Sequence, residues 1–543
     1  MLGGHLLTVA LLIASSFLAD TQAATAFGYM SNDGAWVINS GDGLAITMDQ
    51  DTCDITSILW NDSELQYSAK NTHVNSGLGS VSSSIKTLDD STIQITCKTT
   101  GLEQTYLFRP NENVIYMGTY HTTDLDLAEL RFLARLDRTA INNGMSTASE
   151  IDGMSAIEST DTCIYADDDG VTASKFYSGI AFIDDQVHGV TGDAGGVYFI
   201  MSDYAYEASV GGPFFRDINN QCTTANELTF YMFSDHTRAE DYRYGFHGPY
   251  ALVFTDGTAP STSDVDFDFF QDLDLTGFVT ETERGSVSGS ITDSNGVLGS
   301  SDVVVTFTND NTQYWVSVAS NASTFTSPLM PSGTYNATVY KKQLAVSSDS
   351  VVVKKGLSTT QTLKVTYELE LNPIWRIGEW DGTPDGFLNA VNIHTMHPSD
   401  SRLDTWVESL TFEPGTNNDS TFPMAMFRAV NDPITLSFTL TSDQAAEDRT
   451  LKIGLTLAQS SGRCSVTVNS DWTAKVQSSV AVSTRGITRG VTLGNYKLYE
   501  YTIPTSALVT GTNTIELSIA SGTTDPSEKW LSASVVFDAL ELV

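Results

Sequence analysis

Short stretches in which Val, Ile, Leu, Thr, Tyr and Phe alternate with polar residues recur along nearly the whole chain, cut at close intervals by Gly, Asn, Asp and Ser. ILWNDSELQYSA, STIQITCKTT, ENVIYMGTYHT and GGVYFIMSDY are examples. Alternation puts one set of side chains on a buried face and the other in water, so these stretches predict strands joined by tight turns. The helical period is almost absent, and with only 17% of residues charged a solvated helix face is hard to build. The pattern predicts an all-β protein.

Changes in texture along the 543 residues divide the chain, whose length suits about two to four domains. A large first domain, residues 24–280, closes on FFQDLDLTGF and gives way to the Gly/Ser/Val-rich GSVSGSITDSNG. Residues 281–366 then predict one small sandwich of fibronectin-type-III size, with VVVTFTN, TQYWVSV, GTYNATVYK and DSVVVKK as strands. Residues 367–543 predict a jelly-roll sandwich of the carbohydrate-binding kind, carried by TLSFTLTS, LKIGLTLA, CSVTVNS and ASVVFDALELV. Ahead of these, the apolar run Leu6–Leu18 and the small-x-small triplet Thr21-Gln22-Ala23 predict a signal peptide over residues 1–23. No later run approaches the ~18 apolar residues of a membrane span. The expected localisation is therefore secreted and extracellular.

Composition narrows the partners. A net charge of -38 argues against nucleic acid and against an anionic membrane, and a monomer is expected. Five cysteines, too widely spaced for a zinc cluster, suit an oxidising compartment, and the odd Cys464 is expected to be a buried thiol. Asn61, Asn321, Asn336 and Asn418 head glycosylation sequons. No cofactor is predicted. Asp167-Asp168-Asp169-Gly170 raises a structural calcium, but without the ligand spacing and closing Glu of an EF-hand an acidic turn is the better reading. Neither a phosphate loop nor a nucleophile elbow occurs, while two-carboxylate hydrolysis stays open because 66 acidic residues make some pair inevitable.

In so acidic a chain, the stretch Gly211–Thr255 stands out by gathering Arg216, His236, Arg238, Arg243 and His247 among Tyr231, Tyr242, Tyr244 and Tyr250. Arg offers fixed donors matched to a carboxylate, Tyr a flat face with a polar tip, and His a proton exchanged near neutral pH. Such a set could grip an anionic, ring-containing ligand, or it could be a strand pair with aromatics in the core and charges on the rim. Lys175, in SKFYSG, is the sole cation between Arg138 and Arg216. Beside aromatics it could lose solvation and become a base, or it could mark a surface turn.

GGPFFRDI, FYMFSDHT and YGFHGPYALVF, together with ELRFLARLDR, SKFYSG, IGEWDGTPDGF and MHPSDSR, resemble in sequence and order the fungal rhamnogalacturonan lyases of polysaccharide lyase family four. The resemblance covers essentially the whole mature chain. It implies cleavage of rhamnogalacturonan I, a pectic polysaccharide, by β-elimination in the first domain. It assigns Arg131 to neutralising the substrate carboxylate and Lys175 and His236 to proton transfer, Lys175 as the base. Tyr231, Arg216 and Thr229 are expected to bind substrate, Tyr231 matching the second tyrosine of the family's Tyr-x-Tyr pair and Thr229 standing in place of the first. The resemblance also implies a Cys53–Cys97 bridge, both residues lying in strand-like segments, and a Cys163–Cys222 pair is a further expectation. Trp375, Trp380 and Trp406 of the last domain could stack on sugar rings or be buried. A glycoside hydrolase on the same polymer and a non-catalytic glycan-binding protein of the same fold are the competing readings.

Overall fold

The computed structural model describes residues 26–122, 129–145, 155–158, 162–164, 170–174, 176–234, 236–237, 240–319, 322–480 and 484–543. The expected leader, the Asp167–Asp169 turn, Lys175, Arg238 and Asn321 lie outside them, as does the Cys163 side chain that the expected pairing with Cys222 requires. The architecture is all-β. Among the described residues the α-helix is one turn, Ser442–Ala445, and no helix is long and apolar enough to cross a membrane.

Antiparallel pairing dominates the first domain. A seven-stranded sheet runs in the order Val187–Gly192, Gly195–Met201, Gly245–Thr255, Val114–His121, Leu102–Phe108, Ile93–Thr99, Ser82–Thr87. Facing it are a five-stranded sheet formed by the first strands of the chain and a four-stranded sheet ordered Asn220–Cys222, Asn226–Ser234, Glu129–Leu136, His73–Val74. Their apolar faces meet in one core containing Trp36, Phe108, Phe132, Phe199, Phe230 and Tyr250, in which the Phe230 and Tyr250 rings lie 4.6 Å apart. Cys53, in the turn before Ile55–Trp60, is disulfide-bonded to Cys97 on Ile93–Thr99, tying two sheets across this core.

The second domain packs the sheet Gln313–Val318, Val303–Thr308, Gly333–Lys341, Leu344–Val353 on a smaller one built around Arg284–Thr292, which pairs in parallel with Ser358–Lys364. Val287, Val305, Phe307, Tyr335 and Leu363 fill the space between. In the third, two five-stranded sheets centred on Ser534–Leu542 and Gly511–Ile519 enclose Phe422, Leu436, Val466, Leu517 and Phe537. Cys464 is buried there, and burial pushes its thiol up to about 12. Trp375 and Trp380 are buried as well, while Trp406 is half-buried, its indole N–H donating to the Pro398 carbonyl at 3.0 Å. The sequon residues Asn61, Asn336 and Asn418 are exposed.

Charged clusters join the domains. Between the first and second, Arg284 donates from Nη1 to Glu207 Oε2 at 2.8 Å and to Tyr314 OH at 3.1 Å, with its guanidinium 4.0 Å over the Tyr204 ring. Arg284 and Glu207 are both buried. Between the second and third, the IGEWDGTPDGF segment forms the joint. The Asp381 carbonyl accepts from the Gln343 and Leu344 amides, its carboxylate pairs with Lys342 at 2.7 Å, and the Asp381 and Gly382 amides donate to buried Asp538.

Candidate active site

The four-stranded sheet brings the first candidate residues together. Glu129–Leu136 pairs antiparallel with Asn226–Ser234, Arg131 lying opposite Tyr231 and Leu130 opposite Phe233. Met232 is thus an extra residue in the second strand, a β-bulge that re-aims side chains near the strand ends. Arg131 is pinned from the other side as well: its amide donates to Asn75 Oδ1 at 3.0 Å, and its carbonyl accepts from the Asn75 amide at 2.8 Å.

Arg131 Nη1 donates to the Tyr231 hydroxyl, and Nη2 lies 2.9 Å from Glu129 Oε1. The Tyr231 hydroxyl donates onward to Glu129 Oε2 at 3.1 Å, closing a ring of three side chains. Burial works against the Arg131 charge, but Tyr231 and Glu129 outweigh it and raise its pKa, so the guanidinium stays charged. Burial, followed by the charge of Asp217, pushes the Tyr231 phenol well above its ordinary range, so it stays protonated.

His236 completes the group from the end of the same strand. Its Nδ1 lies 3.0 and 3.1 Å from the two oxygens of Asp217, and its Nε2 lies 3.8 Å from Glu129 Oε2. Asp217 is fully buried, which favours its acid form. The His236 charge and hydrogen bonds from His236, the Ser234 hydroxyl and the Ile218 amide overcome this and hold it below the usual carboxylate range. An ionised Asp217 keeps a proton on Nδ1 and leaves Nε2 facing Glu129, the partner of Arg131. The Phe176 and Tyr231 rings lie 5.8 and 5.7 Å from the imidazole.

The remaining expected residues separate. Lys175 lies outside the described residues, next in sequence to Phe176, whose ring faces His236. Thr229 is buried, with its carbonyl accepting from His188 Nε2 at 2.9 Å and its amide donating to the Asn219 carbonyl at 2.8 Å. Arg216 turns away from Arg131: its Nη2 donates to the carbonyls of His394 and Gly490 in the third domain. Burial lowers its pKa to about 10, so it remains a cation at neutral pH. Of the other cationic and aromatic residues gathered in Gly211–Thr255, Arg243 is buried against Glu240 and the Ser209 carbonyl, and His247 is buried with its Nε2 2.9 Å from His121 Nε2. Tyr250 belongs to the core. Among the described cationic and aromatic residues of Gly211–Thr255, Tyr231 and His236 are the ones that come together beside Arg131 and Glu129.

Sequence reasoning passed over Asp217 and Glu129. Both stand inside the motifs GGPFFRDI and ELRF, one and two positions from arginines that were singled out, but nothing in local spacing distinguishes an acid that orients a histidine from the other acidic residues. Among the described residues no group of three or more His, Cys, Asp or Glu is placed to hold a metal ion.

The chain as a whole is similar to known proteins. Residues 27–277 match the family described as "Rhamnogalacturonan lyase B, N-terminal", and residues 283–361 and 373–542 match domains II and III of polysaccharide lyase family 4. The sequence is 40% identical over 542 residues to "Rhamnogalacturonate lyase A" of Emericella nidulans, covering 99% of this chain and 100% of that one. Identity is 41% over 535 residues with "Rhamnogalacturonate lyase A" of Aspergillus aculeatus, covering 97% and 98%. It is 42% over 502 residues with "Probable rhamnogalacturonate lyase A" of Aspergillus niger, covering 91% and 92%. All three domains are matched in order and the identity extends over essentially the full length, so the chain belongs to polysaccharide lyase family 4.

Proposed function

We propose that the protein is a secreted rhamnogalacturonan lyase, cleaving the rhamnose-(1,4)-galacturonate bond of rhamnogalacturonan I by β-elimination at the Arg131, Lys175, His236 site. The observation that supports the roles is the placement of a permanently charged guanidinium and a carboxylate-oriented imidazole beside the same Glu129 carboxylate. Full-length similarity to rhamnogalacturonate lyases supports the substrate class.

Elimination removes the C5 proton of the galacturonate, develops enolate charge on its carboxylate, forms the C4–C5 double bond and expels O4. Arg131 offsets the carboxylate charge and stabilises the enolate as it forms. Lys175 takes the C5 proton. His236, held at Nδ1 by ionised Asp217, delivers its Nε2 proton to the departing O4. Tyr231 and Glu129 hold the guanidinium in place. A site of this composition reconciles a chain of net charge -38 with a polyanionic substrate, because the attraction is confined to a few cations.

In this reading the enzyme works as an extracellular monomer, without nucleic-acid or membrane partners. A two-carboxylate hydrolase fits less well, since Glu129 is committed to Arg131 and Tyr231 and Asp217 to His236. Incubation with rhamnogalacturonan I tests the proposal. Absorbance in the ultraviolet should rise with depolymerisation as 4,5-unsaturated galacturonate ends form; equal depolymerisation with saturated ends would mean hydrolysis.

A further inference from the structure

The third domain reaches the candidate site at points flanking both proton-transfer residues. Immediately before Lys175, the Ser174 amide donates to the Thr395 carbonyl at 3.1 Å. Immediately after it, Phe176 packs in one small apolar cluster with Val491 of the third domain and with Ile218 and Tyr231 of the first. On the His236 side, Arg216 directly precedes Asp217, and its guanidinium is held by the carbonyls of His394 and Gly490. Gly490 adopts φ 73°, and a Cβ there would sit 2.5 Å from the His394 carbonyl oxygen, so glycine permits the two acceptors to converge on one nitrogen.

Two polar clamps sit just upstream. The Thr172 amide and hydroxyl both donate to Asp400 Oδ2 at 2.7 Å, Asp400 is braced by Arg402 at 2.8 Å, and the Thr172 hydroxyl accepts from the His397 amide at 3.0 Å. Buried Glu158 receives Arg485 Nη2 and, at 3.0 Å, the Thr488 hydroxyl, with His397 Nε2 at 3.3 Å. Asp400 and Glu158 are almost fully enclosed, and a buried carboxylate that loses a partner carries a desolvation cost, so each clamp strongly favours its docked geometry. The MHPSDSR motif is thereby accounted for: His397, Asp400 and Arg402 grip the strand that leads into Lys175.

We propose that the third domain is a positioning element of the active site, with Asp400, Arg485 and the His394 and Gly490 carbonyls fixing the segments that carry Lys175 and His236. The proposal rests on the assignment of those two residues to the chemistry. It departs from a role confined to gripping polymer, because the contacts bear on the catalytic segments themselves. Misplacing a reacting group by about 1 Å costs up to ~10²-fold, which sets the scale of the effect.

The experiment uses the full-length chain. Arg485→Ala and Asp400→Asn are compared with the parent on rhamnogalacturonan polymer and on a short oligosaccharide, with kcat, KM and melting temperature measured for each. Expected is a fall in kcat of about tenfold to a hundredfold on both substrates with KM little changed. Arg485→Lys should recover much of the loss through its retained charge. Thr172→Val, which removes a single hydroxyl, repeats the test should either first variant fold poorly. Unchanged kcat on the oligosaccharide, with KM raised on polymer alone, would overturn the proposal in favour of a binding module; so would a loss of kcat accounted for by a smaller folded fraction. Lys175→Ala and His236→Ala run alongside: if they are inactive while the clamp variants keep full kcat, only the positioning role falls. If both remain active, the site assignment falls and takes the positioning role with it.

Discussion

Asp217 grips the imidazole of His236 with both carboxylate oxygens, at 3.0 and 3.1 Å from Nδ1, while itself fully buried. Replacing it by Asn keeps the shape but removes the paired carboxylate oxygens that hold the ring at Nδ1. Asp217→Asn should lower kcat within the ~10²–10⁴ range typical of losing a positioned general acid or base. An unchanged kcat on rhamnogalacturonan would mean that the ring keeps its working orientation without the Asp217 carboxylate.

Lys175 and Arg131 are both cationic but should respond differently to exchange. Lys175→Ala should cost about 10²–10⁴-fold in turnover with little change in melting temperature. Lys175→Arg should not rescue it, since a guanidinium does not give up its proton to become a base. Arg131→Lys should retain part of the activity through its charge, losing the two-pronged grip that now engages Tyr231 and Glu129. Kinetics of the three variants on one substrate decide the matter, and full activity in Lys175→Ala would remove the base assignment.

Stability should be most sensitive at the joint between the first two domains. Arg284→Ala leaves Glu207 buried without its cation, a change that typically costs about 3–5 kcal/mol. Denaturant unfolding should show this as an early transition of the affected domains. A loss below about 1 kcal/mol would mean that water enters the joint and solvates Glu207.

Asp538 gives the third domain a pH dependence of definite sign. Burial, with the charge of Asp381 adding to it, raises its pKa to about 7, against about 3.9 for an unfolded Asp. A raised folded value means that its contribution to stability is fully present below about pH 4 and is lost as pH climbs toward about 7. Asp538→Asn should therefore be close to neutral near pH 4 and more stable than the parent near pH 8, as read from melting temperatures across the range. A difference that does not vary with pH would show that Asp538 titrates normally.

The strands, the all-β class and the three-part organisation were legible because alternation is a local signal that survives in any sandwich. Arg131, Lys175 and His236 are set apart in the sequence only by motif resemblance; composition alone ranks Arg216, Arg243 and His247 beside them. Those three differ from Arg131 and His236 in their partners: Arg243 turns to nearby Glu240, while the partners of Arg216 and His247 are remote. Arg216 finds its acceptors 178 and 274 positions away, which no window of sequence reveals. Asp217 and Glu129 were hidden for the opposite reason, being ordinary acids in a chain that has 66.

The clamps around Thr172 and Glu158 join residues 228 and 327 positions apart, so their halves leave the ribosome at very different times. Domains fold as units during synthesis, the N-terminal one first. The first domain can acquire its core and its Arg131, Tyr231 and Glu129 ring early, whereas the clamps on Thr172 and Glu158 close only after the last third of the chain has folded and docked. With the positioning role proposed above, a newly made chain carries its own timing device: competence to cut polysaccharide would arrive with completion of the C-terminal sandwich, and a polypeptide cut short by premature termination would keep the groups of the first domain without the frame that aligns them.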